Sequence, residues 1–172
     1  MIKILADTSA LVSLEIKHLV TLASEFVQFS ISTGVYEELK EIATFEDAHG
    51  ISAKDVLELV NKGIVEVKSV NVRKEHTENI DMGEAETLTL AESGKYDYII
   101  TDDVKAMPYM KSSARVKILT SVFVIRLLYD LNILSRKDAL DSITKISASR
   151  DWFGGVLETI SYKYFDDEAS KK

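Results

Sequence analysis

Five carboxylates occupy positions where a negative charge needs an explanation. Asp7 directly follows the apolar run Ile2–Ala6, and Asp102-Asp103 closes a second such run as YIITDD. Two adjacent carboxylates repel, so a metal ion, a helix N-terminus or a basic side chain must compensate them. In GEAETLTLA, helical spacing puts Leu88 about 40° and Ala91 about 20° from Glu84, so Glu84 lies along the apolar face. A carboxylate there is costly unless paired or metal-bound. Glu86 falls on the opposite side and reads as a solvated charge. In VYEELKEI, Glu38 borders the face made by Val35, Leu39, Ile42 and Ala43, whereas Glu37 and Glu41 point away. Each candidate also has a plain structural reading: Asp7 as a helix N-cap, Glu84 as a first-turn glutamate favoured by the helix dipole, and Asp102-Asp103 as a capped helix start. Taken together, Asp7, Glu38, Glu84 and the Asp102-Asp103 pair make a set of hard oxygen ligands. The chain has no cysteine and only three histidines. Such a set selects Mg²⁺ or Mn²⁺, ions that activate water and stabilise in-line displacement at phosphorus.

The elements that must position these acids follow from apolar period and capping residues. Strands are expected at Ile2–Ala6, Phe26–Ser32, Ile64–Val70, Tyr96–Thr101 and Val116–Leu119. Helices are expected after Asp7-Thr8-Ser9, over Lys17–Glu25, from Ser32-Thr33-Gly34 to about Thr44, from a Ser52 cap to Gly63, and over Gly83–Ser93. Residues 45–52 read as a polar connection, 71–82 as a charged loop, and Pro108 as a break. Three helical patterns close the chain at Thr120–Leu131, Arg136–Ile146 and Trp152–Tyr164. Strands alternating with helices argue for an α/β fold with a mainly parallel sheet. Ligands on such sheets gather at the carboxyl ends of the strands, where Asp7 and Asp102-Asp103 fall.

With 172 residues, 46% hydrophobic and 28% charged, the chain fits one globular domain, 1–172. Without cysteine, a disulfide scaffold, zinc finger, iron–sulfur site and thiol nucleophile are excluded. The apolar runs fall short of a membrane span, and MIKILADTSAL lacks the regions of a signal peptide; the expected location is the cytoplasm. A net charge of −7 disfavours a bare cationic sleeve for nucleic acid. Lys105, Lys111, Arg115 and Lys117 follow the Asp pair and are candidate phosphate contacts, with a solvated basic surface as the plain reading. Tyr109 is a candidate base-stacking ring or a packing residue. His49 and His76 fall in polar segments without a clear role, and His18 reads as a helix-surface residue. Trp152 and Phe153 are expected to anchor the last helix, and the apolar Val122–Leu128 stretch to be core or a dimer face.

The segments ILADTSAL, VYEELKE, GEAETLTLA and YIITDD, in that order, resemble the PIN-domain nucleases, in particular small prokaryotic stand-alone members similar to VapC toxins. The closing KILTSVFVIRLLYDLNILSRKDALDSI fits the same resemblance. It implies a three-layer α/β/α fold with acids at one sheet edge binding Mg²⁺ or Mn²⁺. Matched motif by motif, the acids are Asp7, Glu38, Glu84 and, through the T-x-D pattern, Asp103 rather than Asp102. Ser9 and Thr101 match supporting hydroxyls. The implied activity is metal-dependent endonucleolytic cleavage of RNA, and the implied partners are an RNA substrate, an antitoxin for toxin members, and a second copy of the chain. The chain departs from a compact toxin in having Glu at the third acid, extra helical material at 45–62 and 147–165, and a charged tail at 166–172. A catalytically weak PIN-like module that binds RNA or protein is the alternative. A receiver domain fits poorly, because the strands at 26–32 and 64–70 do not end in Asp. A dehalogenase-type phosphatase fits poorly, because Asp7-Thr8-Ser9 is not D-x-D.

Overall fold

The computed structural model describes residues 1–72, 74–149, 152 and 155–166. Strand β1 (Ile2–Ala6) leads through α1 (Thr8–Glu15) and α2 (Leu19–Ala23) to β2 (Val27–Ser32). Helices α3 (Thr33–Ile42) and α4 (Ala48–Asn61) precede β3 (Val65–Lys68). The short α5 (Lys74–Thr77) and α6 (Met82–Ala91) precede β4 (Tyr98–Ile100). Helix α7 (Met107–Ser113) then leads to β5 (Lys117–Leu119), and α8 (Val122–Asp130), α9 (Arg136–Ser149) and α10 (Val156–Asp166) follow. The five strands pair in the order β3-β2-β1-β4-β5, all parallel.

Alternation along the strands divides the core into two layers. Ile4, Ala6, Phe29, Ile31 and Ile100 face one side, where α1, α2, α4, α8 and α9 cover them. Leu5 and Ile99 face the other, against Leu88 and Leu90 of α6 and Met110 of α7. This is the expected three-layer α/β/α arrangement. The chain leaves β1 by α1 on one face and leaves β4 by α7 on the other. Diverging connections open a crevice at the carboxyl ends of two neighbouring strands, and it is here that Asp7 and Asp103 emerge.

Helices α3 and α6 flank that crevice, and two glycines set their spacing. A Cβ on Gly34 would lie 2.9 Å from the Gly83 Cα, and one on Gly83 would touch a Val35 methyl at 3.4 Å. Ser32 caps α3 by accepting from the Val35 amide at 3.1 Å, and its hydroxyl donates to the Gly83 carbonyl at 3.3 Å. Glu86 accepts from the Gly34 amide at 2.5 Å. It is therefore a half-buried clamp between the two helices rather than the solvated charge that helical spacing suggests. Glu37 and Glu41 are exposed as expected, Glu37 pairing with Lys40.

Several boundaries differ from expectation. Helix α4 begins four residues before Ser52, with Asp47 accepting from the Gly50 amide at 2.9 Å; Ser52 is buried inside the helix. Gly50 stands where any Cβ would lie 2.0 Å from the Phe45 carbonyl oxygen, so the turn into α4 closes only on glycine. Part of the expected 71–82 loop is α5, and Pro108 occupies the first turn of α7, where its missing N–H has no helical partner to lose. Val122, Val124, Ile125 and Leu128 are core, which settles the character of the inner face of α8. Phe153 and the tail beyond residue 166 lie outside the described residues. Among the described residues no helix is long and apolar enough to cross a membrane.

Candidate metal centre

Asp7 ends β1 and caps α1. Its Oδ2 accepts from the Ser9 hydroxyl at 2.7 Å, the Thr101 hydroxyl at 3.0 Å and the Ser9 amide at 3.4 Å. The two hydroxyls also accept from the loop after β4: Ser9 Oγ from the Asp102 amide at 2.8 Å, Thr101 Oγ1 from the Asp103 amide at 3.0 Å. Each hydroxyl thus links the Asp7 carboxylate to the backbone that presents Asp103. They fix the relation between the two strand ends. The Asp103 carboxylate is oriented in turn by the amides of Lys105 at 2.7 Å and Ala106 at 3.2 Å.

Glu38 reaches the crevice from α3 and is held by the Thr8 hydroxyl at 2.6 Å. Glu84 reaches it from α6, 5% exposed. It also belongs to a capping box: Asp81 accepts from the Glu84 amide at 2.9 Å while Glu84 accepts from the Asp81 amide at 3.3 Å. Glu84 thus caps α6 while lining the cavity.

Asp7, Glu38, Glu84 and Asp103 line one cavity of 340 Å³, with Thr8, Ser9, Val12, Ile42, Phe45, His49 and Asp81. No Lys or Arg is among its lining residues. The electrostatics follow. Burial raises the Asp7 carboxyl above its ordinary range against the pull of its hydrogen bonds. Burial and then the charges of Asp7 and Asp81 raise Glu38, opposed by the Thr8 bond. Burial, then Asp81, Asp7 and Asp103, push the Glu84 carboxyl up to about 8. These acids destabilise one another's charge, which a proton on one of them or a cation in their midst relieves. No three of their ligand atoms lie within 4.8 Å of one another. Among the described residues, groups of three converging within 4.8 Å occur elsewhere, at Glu15–His18–Asp55 and Glu75–His76–Glu92. Mg²⁺ keeps several of its waters and takes only one or two carboxylates directly, so carboxylates that line a cavity without converging are compatible with it.

A family model described as a PIN domain matches residues 3–154. The chain belongs to the PIN-domain family. Members are nucleases, typically metal-dependent, and the all-parallel three-layer fold agrees with membership. Neither a curated protein nor a solved structure matches this PIN domain.

Not every acid singled out in the sequence reaches the cavity of this PIN domain. Asp102 is turned away, accepting from the Ser121 amide and hydroxyl, both at 2.8 Å, and from the Trp152 indole N–H at 3.1 Å. It ties the start of α8 and Trp152 to the sheet edge. Asp81 was missed, although D-x-x-E at 81–84 is a capping-box signature that marks it. His49, in the first turn of α4, lines the cavity and contacts the Ser149 carbonyl at 3.0 Å. His76 is buried, 3.1 Å from the Tyr109 hydroxyl, so Tyr109 is a packing residue. Of the cations, Lys105 follows Asp103 at the carboxyl edge. Lys117 starts β5 opposite Tyr98 at the amino edge, Arg115 precedes it, and Lys111 lines a separate groove beside Phe123. None of the four lines the cavity.

Proposed function

We propose that this PIN domain is a Mg²⁺- or Mn²⁺-dependent endoribonuclease whose ion is held by Asp7, Glu38, Glu84 and Asp103. The observation carrying the reading is that four carboxylates from four separate segments line one cavity without a Lys or Arg among its lining residues. When bound, the ion would activate water and offset charge building on the phosphate oxygens. The chain's own part is orientation. Ser9 and Thr101 hold Asp7, Thr8 holds Glu38, and the amides of Lys105 and Ala106 hold Asp103. Asp102, with both oxygens engaged elsewhere, is left out of the ligand set. RNA as substrate rests on the resemblance to VapC-like members.

The test is cleavage of a single-stranded RNA with EDTA, Mg²⁺ or Mn²⁺. Ion-dependent cutting that is lost in Asp7→Asn and Glu84→Gln but kept in Glu37→Gln is expected. Glu37 is the better control than Glu86, whose carboxylate anchors α3. Equal behaviour across all variants would remove the assigned cluster and leave the alternative, a PIN-like module that binds RNA or protein without cutting. The same resemblance extends the proposal to a toxin with an antitoxin partner and to a homodimer. Growth arrest on expression, relieved by Asp7→Asn, would support the toxin role; unaffected growth would discard it.

A further inference from the structure

A second group of ligating side chains sits at the other end of α1. Glu15 is its last residue, about 10 Å along the axis from the Asp7 end. Its side chain is 3% exposed, and its Oε2 has no hydrogen-bond partner. Its Oε1 lies 3.1 Å from His18 Nδ1. His18 occupies the N-cap position of α2 in the left-handed region, φ 52°, without a side-chain cap bond, which leaves its ring free to face Glu15. Asp55 approaches from α4, and one ligand atom from each of Glu15, His18 and Asp55 falls within 4.8 Å of the others. The cavity they line measures 540 Å³, and its other acids are Glu25 and Glu58. Its one lysine, Lys62, is 3.4 Å from Glu58 and so is already engaged.

A buried carboxylate with an unsatisfied oxygen is costly and calls for a positive partner. One imidazole nitrogen with two carboxylate oxygens is a donor set for a borderline divalent ion rather than for Mg²⁺. We propose that Glu15, His18 and Asp55 form a second metal site, for a divalent cation of the Zn²⁺ class, independent of the crevice acids. Three protein ligands leave the remaining coordination to water. The bound ion would fasten the α1–α2 turn to α4, the helix whose first turn brings His49 to the crevice. Burial and the Asp55 charge raise the Glu15 carboxyl, while His18 and the Val20 backbone amide oppose them; a cation there adds to that opposition.

The test is calorimetric titration with Zn²⁺ of the full chain carrying Asp7→Asn and Glu84→Gln, which disable the crevice acids. Saturable binding of one ion per chain is expected. Adding His18→Asn or Asp55→Asn should weaken it by about tenfold or more. Asn keeps the left-handed backbone accessible at position 18, and the His18 side chain is 73% exposed, so that variant folds. In parallel, Zn²⁺ should raise the unfolding temperature of the parent and not of the His18→Asn chain. No saturable binding, or binding unchanged in both variants, overturns the proposal.

Discussion

At the residue scale, neighbours in sequence part company in role. Asp102 and Asp103 are adjacent, yet one accepts three hydrogen bonds from α8 and Trp152 while the other lines the crevice. The T-x-D pattern favoured Asp103, but spacing alone does not say which of two successive side chains faces inward at a strand end. Asp102→Ala should therefore act on folding. Losing charge-assisted bonds of about 1.5–3 kcal/mol each lowers the urea midpoint steeply. Ser9→Ala and Thr101→Val should instead reduce ion affinity or cleavage by about 10- to 100-fold, read by titration and RNA cleavage, because each hydroxyl orients Asp7. The raised carboxyl of Glu84 has a consequence for pH. Unfolded, it titrates near its ordinary 4.5; folded, near about 8. The folded chain holds the extra proton between those values, so stability without metal falls as pH rises across that window. Urea midpoints in EDTA should drop over that range, less steeply in Glu84→Gln, and Mg²⁺ should restore them at the alkaline end.

At the element scale, strand positions were legible because alternation and length mark a buried strand. Each expected strand exists, trimmed by a residue or two where pairing ends: Ile64 and Val70 fall outside β3, Tyr96 and Thr101 outside β4. Helix starts were less legible. Ser52 looked like a cap, yet Asp47 caps α4, since any hydroxyl or carboxylate before an apolar run carries the same signal. The contact of α3 with α6 was not legible at all, because it rests on two glycines far apart in sequence. Gly34→Ala should force the helices apart and cost about 1–3 kcal/mol by overpacking. The displacement would also separate Glu38 from Glu84, so cleavage should fall further than stability alone predicts. A variant with full cleavage and an unchanged melting temperature would refute that coupling.

At the scale of the whole molecule, the parallel sheet decides which charges share an edge. Acids that end β1 and β4 meet at the carboxyl edge, while Arg115 and Lys117, which lead into β5, lie at the amino edge. Proximity in sequence made all four basic residues look like phosphate contacts; strand direction separates them. Arg115→Ala and Lys117→Ala should leave cleavage, and its salt dependence, nearly unchanged, whereas loss of a true phosphate contact lowers the salt slope by about one. The layered fold was legible from the alternation of strands and helices, but the bond from the Trp152 indole to Asp102 was not.

Trp152 is the sole tryptophan of the chain and is 2% exposed. Its indole donates to Asp102, one residue from Asp103. The molecule therefore carries its own optical gauge. Cation arrival at the crevice should register as a change in fluorescence intensity or emission wavelength, with no added dye, and Asp102→Asn should blunt that signal.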